Sequence, residues 1–307
     1  MKKMMFLAVA AVVALSSCVK SESVDLGGKQ AIAFKAFNEV NGRAIVEGTG
    51  YPTDGEFKVF AIHSTGSDAY FEPTTFGDGN SDGEWSGDPA RYWPTFGTLD
   101  FAAYHPASLA GSATYGTGVI NNVVVTLADN NKAEQDDVMF SNLVNDANCT
   151  SHATQAIVFN HALAQIEVHV VTDQAGLFEV TGLTLNNTIQ DGTLTVTPAA
   201  TSTADWTTKG TADNDMTLVS VATAVPISAT EIASVLVVPG AQTSLDLQYT
   251  IGGTPMTHPT INLTANGNWE MGKKYIYTIS FGAHEIEFTP SVVNWTAPTP
   301  AMPDTNI

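Results

Sequence analysis

Strand-like alternation, rather than helical periodicity, runs through this chain and is clearest near its C-terminus. Residues 273–296 read KKYIYTISFGAHEIEFTPSVVNWT, with Tyr275, Tyr277, Ile279 and Phe281 at every second position. In a strand these four share one face, because successive Cβ atoms point to opposite sides of the sheet. Gly282 and Ala283 interrupt the run, Ile286 and Phe288 resume it, and Pro290 breaks it again before Val292, Val293 and Trp295. An apolar segment of this kind associates with other strands if left unpaired, so it must complete a sheet.

The same period recurs upstream. Strands are predicted over 31–37, with Ile32 and Phe34 apolar, and over 44–46, 57–61, 99–104, 119–126 and 138–140. Residues 156–171 form two strand-like halves, and the pattern at 162–165 also permits a short helical turn. Further strands are predicted at 177–185, 194–196, 235–238 and 261–263, and Leu245, Leu247, Tyr249 and Ile251 alternate with Asp246, Gln248 and Thr250. Residues 64–88 read as one long polar loop, and 128–137 (ADNNKAEQDD) as a solvated acidic one. Many short strands separated by Gly, Pro, Asn and Asp predict an all-β sandwich fold.

The N-terminus adds an address. Lys2 and Lys3, an apolar run over 4–15, then Ser16, Ser17 and Cys18 make a secretory signal too short to span a bilayer. Leu15-Ser16-Ser17-Cys18 is similar to the lipobox of bacterial lipoproteins. That similarity implies removal of residues 1–17, lipidation of Cys18 and attachment to a membrane by lipid rather than by a helix. The remaining 290 residues suffice for one large or two medium domains. Cys149 is then the one thiol left, so no internal disulfide is expected, and it reads as a small hydrophobe or an idle loop thiol.

Net charge is −19, or −21 once Lys2 and Lys3 are lost, with only 14% of residues charged. Such a surface repels phosphate backbones and argues against nucleic acid as a partner. Catalytic and metal signatures are missing from the sequence. The histidines are scattered, no Cys or His spacing suits zinc, and no nucleophile elbow, phosphate loop or dinucleotide fingerprint occurs. His161 and His169 would lie about 26 Å apart along one strand. Asp78-Gly-Asn80-Ser-Asp82-Gly83 matches the first half of a calcium loop, but Pro89 stands where the closing Glu belongs. A polar turn before Trp85 is the better reading. No enzyme activity, metal or cofactor is expected.

Five short motifs, in order, carry a resemblance. Tyr92-Trp93-Pro94 with Leu99-Asp-Phe101-Ala-Ala-Tyr104-His-Pro106 resembles the YWP…FxAYxP signature of the fimbrillin-like family of Bacteroidales-type (type V) pili. Asp137-Val-Met139-Phe140-Ser141, Phe159-Asn-His161-Ala162-Leu163-Ala164, and Gly272-Lys-Lys-Tyr275 with the final Trp295 resemble other segments of that family. With the lipobox, these matches span residues 15–296.

The resemblance implies two β-sandwich domains of transthyretin-like topology, at 30–165 and 166–307, after a signal peptide (1–17) and a lipidated tether (18–29). It also implies a pilus subunit of stalk, tip or anchor type, lipid-anchored at the cell outer membrane and then displayed on the surface. Such subunits join head-to-tail by donor-strand exchange. Cleavage after Arg43, before Ala44, would remove the first strand; the alternative is a plain surface arginine. The donated segment would be 284–296, with Ile286, Phe288, Val292 and Trp295 as pocket-filling contacts, unless these residues pair within their own domain. A second functional reading is a monomeric surface lipoprotein that binds glycan through Trp85, Tyr92 and Trp93.

Overall fold

The computed structural model describes residues 30–37, 55–64, 66, 69–109, 113–116, 118–128, 135–148, 154–264, 267–282 and 285–295. Cys18, Arg43, Ala44, Cys149 and the predicted strand at 44–46 lie outside these residues.

The first half contributes β1 (Ala33–Phe37), β2 (Phe57–His63), β3 (Ala69–Gly77), β4 (Trp85–Asp88) and β5 (Leu99–His105). It continues with β6 (Thr114–Gly116), β7 (Val119–Thr126), β8 (Met139–Ser141), β9 (Val144–Ala147) and β10 (Thr154–His161). The second half opens with β11 (Ala164–Thr172), β12 (Phe178–Thr188), β13 (Asp191–Thr197), β14 (Thr203–Lys209) and β15 (Asn214–Val219). Next come β16 (Thr223–Ala224), β17 (Thr230–Val237), β18 (Gly240–Ala241), β19 (Ser244–Ile251) and β20 (Thr254–Thr257). β21 (Ile261–Asn262), β22 (Asn268–Trp269), β23 (Lys273–Phe281) and β24 (Ile286–Asn294) end the series. The fold is all-β, as the alternation predicts, and no α-helix occurs among the described residues.

Neighbouring strands follow the order β2-β3-β4-β1-β10-β8-β5, and a ladder from β2 to β5 joins the two ends into a closed barrel of seven strands. Closure removes the sheet edges that would otherwise seek partners. β9 attaches to β5 beside the ring. Phe34, Phe57, Phe76, Trp85, Trp93, Phe101 and Phe159 fill the interior. In the second half, the sheet β17-β11-β23-β24 packs on the sheet β15-β12-β19-β20. Ile166, Val168, Tyr277 and Ile279 from one meet Leu183, Leu185, Leu245 and Leu247 from the other.

A fourth sheet, β14-β13-β7-β6, takes strands from both halves. It joins a third core in which Phe60, Ala102 and Tyr104, on the outer face of the barrel, meet Val123, Leu194, Leu236 and Trp295. β2 and β5 are therefore buried on both faces, which explains their nearly continuous apolar runs FKVFAIH and LDFAAYH.

Three expectations need correction. Residues 64–88 are not one loop, since they contain all of β3 and β4. β3 pairs with β2 through two register shifts, which put buried Phe71 out of phase with buried Thr74 and Phe76 and hide the period of two. Residues 162–165 form no helical turn: Ala162 and Leu163 are a fully buried joint between β10 and β11. The 128–137 stretch is not wholly solvated, because Gln135 and Asp137 are buried.

Gln135 acts as a substitute strand. Its Nε2 donates to the Leu236 carbonyl (3.1 Å), and the Leu236 N–H donates to its Oε1 (2.8 Å). Gln135→Ala would leave both backbone groups buried without that partner, at about 2–3 kcal/mol. Urea unfolding should show the loss as a lower midpoint with an unchanged slope.

Candidate assembly site

β1 is short, and its inward residues decide its seat. Ile32, Phe34 and Ala36 point into the barrel, while Lys35 on the other face is exposed. The Phe34 ring lies edge-on to Phe76 (5.0 Å), Phe101 (5.0 Å) and Phe57 (6.2 Å). All five residues of β1 pair in parallel with residues 154–158 of β10, and Ala33 and Phe34 pair with β4 on the other side. Just upstream, the Ile32 N–H donates to the Arg91 carbonyl (2.8 Å), and the Trp93 N–H to that of Gln30 (3.0 Å). Taking β1 out would bare the backbone of β10 and β4 above an aromatic floor.

The C-terminal pair of strands divides sharply. β23 is pinned from both sides: it pairs with β11 and β24, and its inward side chains are buried. Trp269 Nε1–H donates to Tyr277 Oη (3.0 Å), and the Tyr277 hydroxyl donates to Gln242 Oε1 (2.8 Å). Burial pushes the Tyr277 phenol up to about 12, against the pull of the Trp269 bond. β24, by contrast, pairs with β23 alone among the described residues and occupies the sheet edge. Ile286 and Phe288 are half-buried, with Phe288 stacked on Tyr277 at 5.2 Å. Val292 is 54% exposed and Val293 42% exposed.

Trp295 has a different setting. It is only 6% exposed and joins the core between the halves. Its ring stacks on His161 at 3.7 Å and 9°, and its backbone N–H donates to the Gly272 carbonyl (2.9 Å). His161 Nδ1–H in turn donates to Asp137 Oδ2 (2.8 Å), with both side chains buried. Of the four predicted donor contacts, Ile286, Phe288 and Val292 thus share one edge strand, whereas Trp295 sits in a built pocket. β1 and β24 belong to different sheets.

The remaining sequence candidates have structural roles. Trp85 and Trp93 are barrel core, Trp85 Nε1–H donating to the Gly55 carbonyl (2.9 Å), and Tyr92 is half-buried. They offer no open platform for a sugar. Asp78 accepts the backbone N–H groups of Asp82 and Gly83 (3.1 and 2.8 Å), which makes 78–83 a side-chain-braced turn. Burial holds the His105 imidazole below the usual histidine value, and its Nδ1–H donates to the Glu56 carbonyl (2.9 Å).

On the outer face of β11, Glu167 and His169 come together with Glu231 of β17, with potential ligand atoms within 4.8 Å of one another. A bulge opposite Val168 and His169 turns Glu231 to that face. Lys274 Nζ lies 2.9 Å from Glu167 Oε1, so the group forms an ion-pair network. Sequence spacing could have flagged Glu167 and His169 as same-face neighbours, but not the bulge.

The model of the fimbrillin-like family covers residues 43–295. The chain belongs to the fimbrillin-like family. This fimbrillin-like chain is also similar in fold to a candidate cell adhesion protein from Bacteroides uniformis. That match has 18% identity and a TM-score of 0.59, covering 87% of this chain and 100% of the other. A candidate cell adhesion protein from Bacteroides ovatus matches at 18% identity and TM-score 0.55, covering 87% of this chain and 97% of its own. A fimbrial protein from Bacteroides vulgatus matches at 15% identity and TM-score 0.55, with 87% and 99% covered. No curated protein is similar to the chain in sequence. The fimbrillin-like family is structural rather than catalytic.

Proposed function

We propose that this fimbrillin-like protein is a pilus subunit of stalk, tip or anchor type that contributes to adhesion. It is exported as a lipoprotein, held on the outer membrane through lipid on Cys18, and joined head-to-tail to like or related subunits. In this reading 30–165 and 166–307 are two transthyretin-like domains, and cleavage between Arg43 and Ala44 frees β1. The segment 284–296 of a neighbour then fills the vacated groove. Nothing in such a head-to-tail contact closes a ring, so a filament grows.

The observation that carries this reading is a match between the strand that would leave and the strand that would enter. β1 and its lead-in present Ile32-x-Phe34-x-Ala36 inward, and β24 presents Ile286-x-Phe288-x-Pro290 on its own inner face. Inserted in the direction of β1, parallel to β10, β24 would set Ile286 in the place of Ile32. Phe288 would then lie among Phe57, Phe76 and Phe101, with Val292 and Trp295 further along. Main-chain pairing supplies affinity, and alternate pockets supply specificity. The similarity in fold to cell adhesion and fimbrial proteins of Bacteroides supports the same role.

Treating the exported protein with a trypsin-like protease should produce a ladder of oligomers that survives mild denaturation. Deleting residues 284–307 should abolish it; a ladder that persists in the truncated protein would rule out donation by this segment.

A further inference from the structure

β24 is weakly held for a nine-residue strand. It lies at a sheet edge, its side chains from Thr289 to Asn294 are exposed, and only Ile286 and Phe288 at its start lean on the core beneath. An edge strand anchored at one end frays from the other. Immediately after its last residue comes a single buried aromatic, Trp295, whose backbone N–H donates to the Gly272 carbonyl; the Gly272 backbone N–H donates in turn to the Leu163 carbonyl (2.9 Å for each). Leu163 is part of the joint between β10 and β11. Both ends of β24 are thereby fixed, one within the second half and one at the junction of the halves.

The chemistry of the Trp295 seat suits a contact that must open. An apolar pocket emptied of an indole leaves bare hydrocarbon facing water, which resists release. Here one whole face of the indole lies on an imidazole that is hydrogen-bonded to a carboxylate. Once the indole departs, water can solvate that polar pair at little cost. Stacking on His161 therefore holds the strand while leaving a surface that tolerates exposure.

We infer that Trp295, stacked on the His161–Asp137 pair, is a latch that retains β24 on its own subunit and limits the rate at which the strand is donated. Retention in the free subunit stands on the geometry alone; control of donation rests on the strand-exchange reading. Trp295 is thus assigned to the state before assembly, where its departure is the first event in freeing the strand.

Hydrogen exchange on the full exported protein, read by mass spectrometry over residues 286–294, tests the latch directly. Trp295→Ala should speed exchange there by about tenfold or more while β11, β12 and β19 keep their protection, and Trp295→Phe should fall between. After protease treatment, the Trp295→Ala ladder should appear sooner than the unsubstituted one. Unchanged exchange in β24, or a loss of protection spread evenly through the second half, would overturn the latch. A slower ladder from Trp295→Ala would overturn its control of donation. Faster exchange in β24 with no ladder from either protein would remove the donation reading and leave retention standing.

Discussion

Phe34→Ala is expected to destabilise the barrel by about 3–5 kcal/mol. The side chain is fully buried and meets three other phenylalanines edge-on, so its removal leaves a cavity lined by rings that cannot collapse together. β1 and its lead-in contribute only three inward residues, Ile32, Phe34 and Ala36, so no neighbour on the strand can compensate. Phe37→Ala, at a half-buried position on the opposite face, should cost far less. Urea titration of the two variants makes the comparison. Equal losses would mean that β1 is held by its main-chain ladder rather than by the Phe34 pocket.

A chain that starts at Ala44 should fail to keep the barrel closed, because β10 and β4 lose the strand that lies between them. A peptide of residues 284–296 should restore it. At a hundredfold excess over its Kd, such a peptide adds about 2.7 kcal/mol of stability by mass action, visible as a rise in Tm that grows with peptide concentration. A Phe288→Asp peptide should give no such rise, since it would place a carboxylate among Phe57, Phe76 and Phe101. Stabilisation by both peptides alike would show that the groove does not read the Ile-x-Phe pattern.

The strands that could be read from sequence are those with an unbroken apolar signal, either alternating, as in β23, or nearly continuous, as in β2 and β5. β23 keeps a strict period of two and its burial follows it from Tyr275 to Phe281; β19 does the same from Leu245 to Tyr249, after which Thr250 is buried and Ile251 half-buried. β14 carries the period only in Ala204 and Trp206, half-buried against the third core, and its other five residues are exposed. β3 was hidden by register shifts, which move buried positions from odd to even numbers. The motifs behind the family resemblance were legible as words but not as neighbours. Asp137 of one lies against His161 of a second, and Trp295 of a third stacks on that histidine. Trp93 and Phe101, both within the YWP…FxAYxP signature, meet edge-on at 5.6 Å.

Residues 273–296 mark the division best. Sequence alone determined that they form two strands broken at Gly282, that β23 has one apolar face, and that the segment needs a sheet. Alternation is a local property, set by the direction of successive Cβ atoms along a single strand. Only the tertiary structure decided that β23 is central and β24 an edge, that the first sheet closes between β2 and β5, and that Trp295 rests on a buried histidine rather than beside Val292. Those outcomes depend on which distant segments meet, and pairing between segments far apart along the chain leaves no period in either partner.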